Sequence, residues 1–213
     1  MIEVDDSVFT LFQLAKQKAP AYFQLLAAKN EAEFDLAFDA MIEGAVSQLE
    51  QNSKNYSKLN ETGLTGVLAA ALSIPGLTVT QETNSNGHVD LVIEADHCSP
   101  RRRKLGEAKI YNGPTYHVAG LDQLLNRYTT GREGRGLLIA YVRKKNIAGL
   151  VKDVRHHMDT ELPCNQQGIT VDHSLKWSFV STHAHSCGEH LQVSHIGCNL
   201  FVGQGPDGSG GEA

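Results

Sequence analysis

Three residues could carry chemistry together: Asp90, Glu107 and Lys109. Asp90 heads the apolar run D-L-V-I, and further on G-E-A-K-I sets Glu107 and Lys109 two apart inside a second run. Residues two apart in a strand share a face, so the Lys109 ammonium is expected beside the Glu107 carboxylate. Two carboxylates at neighbouring strand ends suit Mg2+, which binds hard oxygens, usually one or two carboxylates with several waters. The backbone carbonyl of Ala108 offers a third oxygen. Phosphodiester hydrolysis needs an in-line water and neutralisation of the charge that builds on the phosphoryl group. Asp90, Glu107 and Ala108 are therefore candidate Mg2+ ligands, and Lys109 a candidate to position the water or stabilise that charge. Glu61 is a further acid, standing behind these ligands or serving another ion. An isolated E-x-K is more often a surface ion pair, and an acid in a first helical turn is also favoured by the helix dipole.

The elements that must position these groups follow from periodicity. Residues 7–28 are helix formers interrupted at Pro20. Asn30, with Glu33 three residues on, caps a helix on which Phe34, Phe38, Ile42, Val46 and Leu49 form an apolar stripe. Residues 51–60 are a polar connector, and a boundary is expected near residue 58. From Glu61 a helix carries Leu64, Val67, Leu68, Ala71 and Leu72 and ends at Pro75-Gly76. Residues 77–83 alternate like a half-buried strand, N-S-N-G at 84–87 signals a turn, and the two strands of the D…E-x-K stretch follow. The turn between them, 96–104, ends in R-R-R-K, too charged for burial. A helix over 116–128 closes at Gly131, G-L-L-I-A-Y-V at 136–142 reads as a strand buried on both faces, and 147–158 forms another helix. Two β segments at 176–185 and 190–202, after a short strand near 168–172, precede a tail with the composition of a disordered end.

Net charge is −5, but its distribution is uneven. Residues 101–155 hold thirteen Lys and Arg against four acids, and every other segment is acidic. One polyanion-facing surface would produce this asymmetry, as would a merely solvated face. Arg101, Arg102, Arg103 and Lys104 are placed at a hairpin tip, either gripping phosphates or keeping a turn soluble. Arg132, Arg135, Arg143, Lys144 and Lys145 come close to the site in the chain and are candidate backbone contacts. G-R-E-G-R-G at 131–136 lacks the Lys-Ser/Thr ending of a phosphate loop and precedes a strand, so it is set aside.

His183, His185, Cys187, His190, His195 and Cys198 are zinc-competent, yet only His190 and His195 approach the usual pair spacing. A β hairpin with histidines on its polar face is the expectation. Four cysteines in a chain whose opening M-I-E-V-D-D is acidic, where a secretory signal would be basic, suggest reduced thiols and a cytoplasmic location. No apolar run approaches the ~18 residues of a membrane span. Hydrophobic residues at 41% and charged residues at 20% argue for an ordinary globular protein over a disordered one.

V-D at 89–90, G-E-A-K at 106–109, Glu61 on the preceding helix and Gln123 with Tyr128 on the following one resemble the PD-(D/E)xK, or restriction-endonuclease-like, nuclease superfamily. The resemblance covers roughly residues 59–146. It implies an α/β (α+β) fold: a restriction-endonuclease-like core with a mixed central sheet flanked by helices, here with an N-terminal helical extension and a C-terminal β hairpin. The expected division is 1–58 extension, 59–158 nuclease core, 159–202 β-rich extension and 203–213 tail. It implies a metal-dependent nuclease using Mg2+, with Mn2+ as a substitute, and nucleic acid, usually DNA, as partner. Asp90 and Glu107 would be metal ligands, Lys109 the catalytic lysine, Glu61 an auxiliary acid and Gln123 an orienting residue. The family's Pro before the Asp is Val89 here, and Gln123 to Tyr128 is one residue longer than the related Q-x-x-x-Y spacing. Arg127, one helical turn after Gln123, is the better-spaced candidate for the same face and for substrate contact. Cutting both strands at one place needs two sites, which makes a homodimer the natural assembly. A non-cleaving nucleic-acid-binding module and a partner-activated subunit are the alternatives.

Overall fold

The computed structural model describes residues 6–84, 88–99 and 101–203. The expected turn at 84–87 and the expected tail therefore lie, apart from Asn84 and Gly203, outside the described residues. Pro20 divides the first helical stretch into α1 (Asp6–Lys18) and α2 (Pro20–Ala27). Asn30 caps α3 (Glu31–Gln51), its Oδ1 accepting the Glu33 amide at 2.9 Å while the Glu33 carboxylate accepts the Lys29 amide at 2.8 Å. Asn60 caps α4 (Glu61–Leu72) in the same way, through the Gly63 amide at 2.9 Å.

Seven strands form one mixed sheet in the order β1-β2-β3-β4-β7-β6-β5. β1 (Thr78–Asn84), β2 (His88–Ala95) and β3 (Arg102–Ile110) are antiparallel neighbours. Helix α5 (Pro114–Gln123) and a π-helical turn, Leu124–Tyr128, cross to β4 (Gly136–Val142), which lies parallel to β3. Helix α6 (Ile147–Glu161) follows, then β5 (Val171–Asp172), β6 (Ser178–Ala184) and β7 (His190–Asn199). The C-terminal hairpin thus continues the central sheet, with β7 parallel to β4. Every residue of β4 is buried, as its uninterrupted apolar run requires.

Helices cover both faces. Phe34, Phe38, Ile42 and Leu49 of α3 and Leu64, Leu68 and Leu72 of α4 pack with Leu91, Ile93, Ile139 and Tyr141 on one side. Leu121, Leu124 and Leu125, with Val154 and Met158 of α6, pack with Val92, Leu105, Leu138 and Phe179 on the other. Among the described residues no helix is long and apolar enough to cross a membrane.

Two expectations are corrected. The R-R-R-K run is not the tip of a turn, because β3 begins at Arg102 and Lys104 is 0% exposed. Its burial is made tolerable by Glu31 and Asp35 of α3, both paired with its ammonium, and by the Phe34 and Phe38 rings, whose centroids lie 5.5 and 5.8 Å away. Glu31, Asp35 and Asp39 recur every four residues and make one acidic stripe along α3, which also takes Arg102 and Arg135. Nor do all the hairpin histidines lie on a polar face: His183 and His195 are each 1% exposed, whereas His185 is half-buried and His190 exposed.

Candidate active site

Where β2 and β3 part, the site begins. Their ladder ends at Leu91 opposite Gly106. One residue further, the Asp90 carboxylate occupies the gap, and its Oδ2 accepts the Ala108 amide at 2.9 Å. Glu107 and Lys109 project from the same face of β3, as period-two geometry requires, and form an ion pair at 2.6 Å. The Lys109 ammonium also lies 3.5 Å from Glu61 Oε1. Glu61 Oε2 accepts the Ile110 amide at 2.8 Å, so the first turn of α4 is fastened to the end of β3.

Helix α5 forms the roof. A Cβ on Gly120 would stand 3.2 Å from Lys109 Cγ and from Leu138 Cδ1, so a residue without a side chain lets α5 lie directly on the ion pair. Gln123, one helical turn beyond Gly120, has its Oε1 buried and without a hydrogen-bond partner. The π-helical turn then decides the next position. Its extra residue per turn aligns i with i+5 and brings Tyr128 inward, 6% exposed, leaving Arg127 exposed. Helical spacing had favoured Arg127 for the face of Gln123; the π geometry reverses this. Burial, then the charges of Glu107 and Asp90, hold the Tyr128 phenol above its ordinary pKa.

Electrostatics divide the roles. Burial pushes the Glu107 carboxyl up to about 7, against the Lys109 hydrogen bond and with the repulsion of Asp90 and Glu61. For Lys109 burial alone would lower the pKa, but the Glu107 bond and the charges of Glu107, Glu61 and Asp90 outweigh it and raise it. The lysine is therefore a fixed cation and not a base. Glu107 Oε2 is buried with no hydrogen-bond partner. An acceptor-only oxygen in that condition is suited to a cation. Among the described residues no three His, Cys, Asp or Glu side chains are gathered as a metal cluster. The donor set here is Asp90, Glu107 and the Ala108 carbonyl, with Glu61 committed to the Ile110 amide and Lys109.

Of the candidate phosphate-binding residues, Arg101 and Arg132 are exposed. Arg102 pairs with Glu31 and Arg103 with Glu94, and Lys104 is sealed beneath α3. Arg143 donates to the Leu59 carbonyl, two residues before Glu61.

One buried cluster was not anticipated. His117 Nε2 on α5 lies 2.7 Å from His195 Nδ1, His195 Nε2 lies 2.7 Å from Ser181 Oγ, and Ser181 Oγ lies 2.7 Å from His183 Nε2. His183 Nδ1 is 3.0 Å from the Cys164 carbonyl. A carbonyl only accepts, so His183 carries its proton on Nδ1 and accepts from Ser181. Ser181 in turn accepts from His195 Nε2, and His195 Nδ1 accepts from His117. Every tautomer is fixed, and α5 is tied to β7 and β6. The histidines are visible in the sequence, but His117 lies far from the others along the chain, and only the β4–β7 pairing brings them together.

Comparison with family models, with curated proteins and with solved structures gives no match for this chain.

Proposed function

We propose that the protein is a Mg2+-dependent nuclease of the PD-(D/E)xK kind. The observation that carries this is the buried Oε2 of Glu107, which has no hydrogen-bond donor, while its Oε1 pairs with Lys109 and Asp90 accepts the next amide, Ala108, at the point where two strands separate. The element order from α4 through β1, β2, β3 and α5 to β4, with β3 parallel to β4, supports a restriction-endonuclease-like core.

Asp90, Glu107 and the Ala108 carbonyl would hold the ion, and Mn2+ fits the same oxygens. Magnesium, when bound, supplies positive charge that polarises phosphoryl oxygens and favours deprotonation of water. Lys109, steered by Glu61 and Glu107, offers its ammonium to the charge that develops on the phosphoryl group. Gln123 Oε1 accepts a hydrogen bond from substrate or water at the roof. Gly120 keeps α5 close enough to limit water around the ion pair.

Asp90→Ala and Lys109→Ala are each expected to abolish Mg2+-dependent cleavage while far-UV circular dichroism stays that of the parent. Linear, circular and single-stranded DNA and RNA, each with magnesium and with chelator, define the substrate. Cleavage retained in both variants would sink the assignment, and binding without cleavage in either metal would make the protein a binding module.

A further inference from the structure

The basic block of residues 101–155 is largely consumed inside the fold. Arg102, Lys104 and Arg135 meet the acidic stripe of α3, while Arg103 meets Glu94, Lys109 meets Glu107, and Arg155 meets Asp172. Of its exposed members, which also include Arg101, Arg127, Arg132 and Lys152, two stand side by side after β4.

β3, β4 and β7 are parallel, so their C-terminal ends share one edge of the sheet. That edge continues past the strands, with the Tyr111 amide bonded to the Tyr141 carbonyl at 3.0 Å and the Leu200 amide to the Val142 carbonyl at 2.8 Å. There Lys144 and Lys145 are exposed. Lys144 Nζ lies 5.7 Å from the Tyr111 ring centroid, and Lys145 Nζ lies 5.8 Å from that of Phe201. Each ammonium is thereby held over a ring, which restrains an otherwise flexible stem. Arg143 is the strut beside them. Its terminal nitrogen donates to the Leu59 carbonyl and its Nε is buried, so it binds the α3–α4 connector at the residue that follows the exposed Lys58. Asp153, which acts on the Tyr111 phenol, is a neighbouring acid.

We propose that Lys58, Lys144 and Lys145 form a ledge for the phosphate backbone of a nucleic acid entering the candidate active site. This deepens the nuclease reading and rests on it. Tyr111 is two residues beyond Lys109 on the same chain, about 7 Å at strand rise. Tyr111, 7% exposed, has no face open for base stacking. The contacts are therefore electrostatic and independent of base sequence.

The test is fluorescence anisotropy with labelled duplex DNA, single-stranded DNA and RNA, in chelator to prevent cleavage and over a range of salt. For duplex DNA, Lys144→Gln/Lys145→Gln should reduce the slope of log affinity against log salt by about 1.8, and Lys58→Gln by about 0.9, at about 0.9 per phosphate contact. Lys16→Gln/Lys18→Gln on α1, with the same change in charge, should leave the slope unaltered. All these lysines are exposed, and a thermal melt confirms that the variants fold. If the parent binds and cleaves but the double variant keeps its slope, or the α1 control loses as much, the ledge is wrong and the nuclease reading stands. A parent that neither binds nor cleaves any of the three overturns both.

Discussion

Glu107 and Lys109 form a 2.6 Å ion pair in which burial is offset at the ammonium by the surrounding carboxylates but not at the carboxylate. Glu107 is held up to about 7 by that burial. A carboxyl whose folded pKa is raised favours folding when protonated, below its ordinary value of about 4.3, and loses that contribution as pH rises through about 7. A bound cation needs the ionised form, so magnesium competes with this proton. The thermal midpoint should therefore rise more on adding Mg2+ at pH 8 than at pH 6, with affinity falling about tenfold per pH unit below 7. Calorimetric titration at pH 7 should register proton release. An equal Mg2+ increment at both pH values would show that Glu107 is not a ligand.

Asp90 does two jobs that substitution can separate. Its Oδ2 satisfies the Ala108 amide where the ladder stops, and its charge serves the proposed metal. Asp90→Asn keeps an acceptor and should stay within about 0.5 kcal/mol of the parent in urea unfolding, whereas Asp90→Ala strands the amide at a cost of about 1–3 kcal/mol. Both should lose Mg2+-dependent cleavage. If Asp90→Asn remains active, the charge is dispensable and the carboxylate is structural.

Lys104 is an anchor and not a phosphate contact. Removing it leaves Asp35 with only the longer, 3.8 Å contact of Arg135, so Lys104→Ala should cost about 3 kcal/mol in urea unfolding. Lys104→Met, which keeps the volume and the contact with Phe34 and Phe38, should cost less when combined with Asp35→Leu than alone. The salt dependence of nucleic-acid binding should not change in the double variant, and a reduced slope would return Lys104 to the binding surface.

The spacing of Asp90, Glu107 and Lys109 made the shared face and the strand pair legible, because period two is a local property of the chain. The cap Asn30 was legible for the same reason. Lys104 was misplaced because local composition marks R-R-R-K as solvent-facing, while the acids that permit its burial lie some seventy residues upstream. Tyr128 was passed over because α-helical spacing points to Arg127, and nothing in L-L-N-R-Y announces a π turn. The extra residue between Gln123 and Tyr128 was the signal, and it acquires meaning only once the helix is known to widen there.

The chain from His117 to the Cys164 carbonyl should make the protein sensitive to acid. Burial holds His117 down to about 4, and burial with the neighbouring histidines holds His195 well below its ordinary value. Burial also lowers His183, against its bonds to backbone carbonyls. Each folded pKa lies below the unfolded value of about 6.5, so the unfolded chain takes up protons first. Stability is therefore complete above about pH 6.5 and falls as pH drops, by up to about 1.4 kcal/mol per unit for each histidine. His117 alone removes about 3 kcal/mol by pH 4. Urea unfolding from pH 8 to pH 4 should show this slope, and His195→Gln should be less stable at pH 8 yet lose less on acidification. Because Gly120 of the same helix rests on Glu107 and Lys109, amide exchange in α5 should rise with acid before exchange in β4. A pH slope identical in parent and His195→Gln would mean that His195 is not held neutral in the fold.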